Sequence, residues 1–66
     1  MDPLTAWMEM FEAMNTNQDY ALAYEKARAL LNWINSGGFI PYQFTREAFT
    51  DYVKSVYRRT AAYAER

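Results

Sequence analysis

The chain contains no cysteine and no histidine. The first absence rules out disulfides and thiolate zinc sites. The second removes the commonest metal ligand and the commonest general base, so a serine or threonine nucleophile would lack its usual activator. Glycine and proline are scarce, with two of each. Both glycines, Gly37 and Gly38, follow a helical pattern, whereas phosphate-binding glycine loops precede one. No apolar run approaches the ~20 residues of a membrane-spanning helix. The opening MDPLTAWMEMF carries acids where a secretory leader carries basic residues. A cytoplasmic location is the expectation. The acidic residues are scattered, without the spacing of a calcium-binding loop. Glu9 and Glu12, three apart on one helix, read as a solvated face rather than a paired-carboxylate site. No enzymatic activity, cofactor or metal is expected.

What is abundant is apolar area. The hydrophobic share is 52% and the aromatic share 18%, with two tryptophans, six tyrosines and four phenylalanines. Sixty-six residues make one small domain, 1–66, able to bury only about 60% of the surface its unfolded form exposes. At ~150–250 Å² per ring, about half of these rings fill the centre of a three-helix unit. The rest must cover its outside or meet a partner, and surplus tyrosine, tryptophan, methionine and arginine is characteristic of interface cores. Charge is unevenly spread although the net value is −1. Residues 1–25 hold Asp2, Glu9, Glu12, Asp19 and Glu25 with no basic residue, a charge of −5. Residues 26–66 hold seven basic and three acidic residues, a charge of +4. An acidic first helix lying against a basic last helix accounts for this. Attraction between chains, or of the basic end for an acidic ligand, is the sharper alternative to that ordinary explanation.

Periodicity predicts three helices and an all-α fold. The central one spans about Asp19 to Ser36. Tyr20, Tyr24, Ala27, Leu31 and Ile34 follow four-three-four-three spacing, widened by Ala23 and Leu30, with Glu25, Arg28, Asn32 and Asn35 opposite. Leu22, Lys26, Ala29 and Trp33 form a second stripe, so this helix has two apolar faces. Its end is signalled by the glycine pair, with Gly38 expected in the left-handed conformation and Phe39 folded back on Ile34. Asp2 and Pro3 open the first helix. Leu4, Trp7, Met8, Phe11 and Met14 are its expected buried stripe, with Met10 off the main line. Thr16 and Asp19 resemble a capping box, and the short Asn15–Asn17 connection makes the first two helices antiparallel neighbours. Thr45 caps the third helix. Its stripe is Phe49, Tyr52, Val53, Val56, Tyr57, Thr60 and Tyr63, extended by Ala64, and Ala62 to Arg66 are expected to fray. FIPYQF, residues 39–44, is too apolar for an ordinary loop. It is expected to plug the core through Phe39, Ile40 and Phe44, with an exposed recognition loop as the alternative.

These features point to a non-enzymatic protein–protein interaction module that associates with itself, as a homodimer or small adaptor. The expected partner surface comprises Trp7, Met10, Met14 and Trp33, with Tyr24 and Tyr57 at its edge. The rival is a nucleic-acid-binding accessory protein using a basic face of the third helix: Arg46, Lys54, Arg58 and Arg59, with Tyr57 among them to stack on bases. Glu47 and Asp51 on the same helix would repel phosphate. A membrane-surface role calls for a strongly basic amphipathic helix, and the amphipathic first helix is acidic.

Overall fold

The computed structural model describes residues 2–64. Among them are three α-helices and no strand: α1 (Pro3–Asn15), α2 (Tyr20–Asn35) and α3 (Arg46–Ala64). α1 and α2 form an antiparallel hairpin. α3 returns along α2, with the Arg46 guanidinium donating to the Ile34 carbonyl at one end and Tyr63 packed on Tyr20 at the other. The fold is the expected all-α one.

Each helix begins where a side chain can satisfy its open N–H groups. The Asp2 carboxylate accepts from the Leu4 and Thr5 amides, and Pro3 takes the first helical position, where no donor is needed. At the second helix the cap is Asp19, which accepts from the Leu22 amide at 3.2 Å. Thr16 instead closes α1, its amide donating to the Glu12 carbonyl, so the expected Thr16–Asp19 capping box does not form. The displacement follows from Gln18, whose φ of 52° turns the chain sharply and brings the Asp19 amide onto the Ala13 carbonyl. Thr45 caps α3 as expected, its hydroxyl accepting from the Ala48 amide at 3.1 Å.

The C-terminus of α2 divides its two glycines between two tasks. Gly37, not Gly38, is the left-handed residue, with φ +86°. Its amide donates to Ile34 and that of Gly38 to Trp33, which are the paired bonds of a Schellman ending. Gly38 serves a neighbour instead. A Cβ built there would overlap the Trp33 indole, which lies over the bare Cα. Accordingly Phe39 packs edge-on against Trp33 rather than on Ile34, and its carbonyl accepts the Trp33 indole N–H at 2.9 Å.

The core is one cluster: Ala6, Met10 and Ala13 of α1, Ala23, Ala27, Leu30 and Ile34 of α2, and Phe49, Val53 and Val56 of α3. Thr60 is also fully buried. It can be, because its hydroxyl donates to the Val56 carbonyl one turn back, at 2.7 Å. α2 and α3 bury the faces expected of them, except that Tyr63, expected in the buried stripe of α3, is 49% exposed near the helix end. α1 does not. Its buried line is Pro3, Ala6, Met10 and Ala13, while Met8 and Phe11 stay outside. Alanines on both sides of the α1–α2 seam permit close approach. The bulkier Trp7, Phe11 and Met14 are left to the flank that faces α3.

α1 and α3 both pack along α2, and they approach each other much less closely. Aromatic rings fill the gap between them. Trp7 stacks on Phe11 with centroids 5.4 Å apart and touches Tyr52 at 5.3 Å and Phe44 at 4.8 Å. Phe44 in turn meets Phe49 edge-on. The 39–44 segment is therefore divided rather than wholly packed or wholly free. Ile40, Pro41 and Phe44 turn inward around a turn closed by the Phe44 amide on the Pro41 carbonyl. Tyr42 is 94% exposed, and Phe39, expected as part of the plug, is 65% exposed. Helix α3 continues through Ala64, so the fraying expected from Ala62 is not present at residues 62–64, and residues 65–66 lie outside the described residues.

Candidate interaction surface

The six residues expected to form a partner surface do not share one face. Met10 is fully buried between α1 and α2 and has no surface to offer. Trp7 and Met14 are half-buried on the α3 flank of α1. Trp7 lies inside the ring cluster, and its indole N–H is enclosed without an acceptor. Trp33 is also half-buried but sits on the α1 side of α2, in the stripe it shares with Leu22, Lys26 and Ala29. Lys26 marks that side through its ion pair with Glu9 of α1, at 3.3 Å. Tyr24 and Tyr57 occupy the opposite, α2–α3 seam. Their rings stack 5.0 Å apart, with the Tyr24 hydroxyl donating to that of Tyr57 at 3.4 Å. Each of these rings is thus largely engaged within the molecule.

The apolar surface that remains open comes from other residues. Met8 is 52% exposed and Phe11 is 42% exposed, and they are neighbours three apart on the outside of α1, with half-buried Leu4 one turn before Met8. The strip borders α3 through the Phe11–Tyr52 contact and the hydrogen bond from the Asn15 side-chain amide to the Tyr52 hydroxyl. Phe39 and Tyr42 form a second exposed apolar point at the 36–45 connection. A signal for the strip was present in the sequence. Ala6 and Ala13, seven apart, face a helix carrying Ala23 and Ala27, and small residues on both sides mark the closer contact.

Charge is as segregated in space as along the chain. Among the described residues the one ion pair is Glu9–Lys26, which joins α1 to α2. The expected pairing of acidic α1 with basic α3 is not formed. Arg46 is committed to the Ile34 carbonyl, where a cation suits the negative end of α2. Lys54, Arg58 and Arg59 are exposed and make no ion pair among the described residues. They share the outward side of α3, Lys54 and Arg58 four apart and Arg59 beside them, and Glu47 and Asp51 are exposed on that same side.

The acidity of Asp2 is shifted by its cap contacts. The Thr5 hydroxyl donates to it at 2.8 Å, and with the Thr5 and Leu4 amides this favours the charged form and lowers its pKa. The described residues contain no group of three or more acidic side chains arranged to hold a metal ion. No helix among them is long and apolar enough to cross a membrane. Compared with known protein families, curated proteins and solved structures, the chain matches none.

Proposed function

We propose that this protein is a non-enzymatic protein–protein interaction module that associates with itself, as a homodimer or small adaptor. The observation that carries the reading is the open strip of Met8 and Phe11 on α1, two large apolar side chains side by side and each about half-exposed. Scattered single apolar residues are ordinary on a protein surface, whereas adjoining ones mark a contact site. The chain also has neither disulfide nor thiolate metal site to reinforce a small core, which makes association the remaining route to added stability. Size exclusion coupled to light scattering at micromolar concentration tests the reading. A dimer or larger assembly is expected, and a monomer at every concentration would refute it.

The exposed Lys54, Arg58 and Arg59 favour a second reading, a nucleic-acid-binding accessory protein. Mobility shifts with single- and double-stranded oligonucleotides at low salt separate the two. A complex that disappears on Arg58→Ala with Arg59→Ala would establish the second reading in place of the first.

A further inference from the structure

We infer that the occupant of the α1 strip is the C-terminal half of α3 from a second copy of this chain, the contact being made twice around a two-fold axis. The inference rests on the self-association reading and identifies the surfaces involved. Two complementary faces lead to it. On α1, Met8 and Phe11 project as knobs, and the exposed charge beside them, Glu12, is acidic and makes no ion pair among the described residues. On α3, Arg58, Arg59 and Ala62 are all exposed and recur at the one-, three- and four-residue steps that keep them on one side of a helix.

A small residue between arginines offers a shallow hole for an apolar knob, and the guanidinium groups flank it where Glu12 can meet them. Among the described residues neither charge has an opposite partner. Residues 2–25 carry only acids, the ion pair there uses Glu9 and Lys26, and Arg58 makes only a 3.5 Å hydrogen bond to the Lys54 carbonyl. Within one molecule these faces lie apart, because α3 turns Phe49, Val53, Val56 and Thr60 inward and leaves Arg58 and Arg59 outside, and α1 and α3 approach each other little. A second copy presents both faces again, so each copy gives its strip to the other's arginines and receives the reverse. Such a reciprocal contact closes at two chains.

The test is charge reversal read by sedimentation. Arg58→Glu with Arg59→Glu should weaken dimerisation at least roughly tenfold, and Glu12→Lys should weaken it in the same direction. Mixing the two variants should restore a heterodimer, because reversed acid then meets reversed base at one contact and native charges meet at the other. The wild-type dimer should also loosen as salt is raised. All three side chains are exposed, so circular dichroism should show unchanged helicity. A wild-type dimer unaffected by either reversal overturns this inference and leaves self-association standing. A wild-type monomer at all concentrations overturns both.

Discussion

Substituting each glycine at the end of α2 separates two physical roles that the sequence Gly37-Gly38 leaves merged. Gly38→Ala places a methyl group where the Trp33 indole lies, so the ring must swing away. The ring then gives up the hydrogen bond to the Phe39 carbonyl, worth about 1 kcal/mol net. It also loses its edge contact with Phe39, for which overpacking data suggest at least about 1 kcal/mol more. A total of about 2 kcal/mol, at ~4–8 °C per kcal/mol for a domain this small, lowers Tm by about 8–16 °C. Gly37→Ala meets no neighbour and pays only for placing an L-residue at φ +86°, about 1 kcal/mol, so its Tm falls about half as far. The assay is thermal melting by circular dichroism, with tryptophan emission recorded in a Trp7→Phe background. That background keeps an aromatic ring in the cluster and removes an indole N–H that has no acceptor. Emission should shift to the red in Gly38→Ala and stay put in Gly37→Ala. Unchanged melting and emission in Gly38→Ala would refute the placement of Trp33 over this glycine.

Three further outcomes follow from positions described above. Met10→Ala should destabilise by about 2–5 kcal/mol, and Met8→Ala should weaken self-association and lower the denaturation midpoint only by the part that depends on protein concentration. Asp19→Ala should cost about 1 kcal/mol through loss of the α2 cap, whereas Thr16→Ala should be near neutral by the same urea titration. For Asp2 the folded-state pKa lies below its ordinary value of 3.8, so the stability it contributes is present above that pH and is lost as pH falls through the depressed value. Asp2→Asn should retain the cap and lose that part of the acid dependence, as read by melting between neutral and strongly acidic pH.

Helix existence and order were legible in this sequence because the dominant signals are local. Asp2-Pro3, Thr45 and the glycine pair each act within a few residues, and the α2 and α3 stripes fall on the faces the structure buries. The rotation of α1 was not legible from hydrophobicity, which weighs side chains by size. Leu4, Trp7, Met8 and Phe11 make the heavier stripe, but close approach to α2 favours the line of Ala6, Met10 and Ala13. The same error moved the candidate surface. Met10 was expected outside and is enclosed, whereas Met8 and Phe11 were expected inside and are open. Residual exposure depends on what neighbouring elements leave uncovered, and a single helix pattern holds no record of its neighbours. Gln18 and Trp33 make the same point at smaller scale. A left-handed non-glycine residue and an indole resting on a glycine are both settled by the chain beyond them.

The central position of α2 has a kinetic consequence. Both of its partners are its immediate neighbours in sequence, so the contacts that build the core join segments separated by one short connection each. Such an arrangement has low contact order, and chains of this kind reach the native state in roughly microseconds to milliseconds. The α1–α2 hairpin can assemble through its alanine seam before α3 arrives. Docking of α3 is then the event that closes the ring cluster around Trp7, which makes this indole a built-in optical clock for the last step of folding.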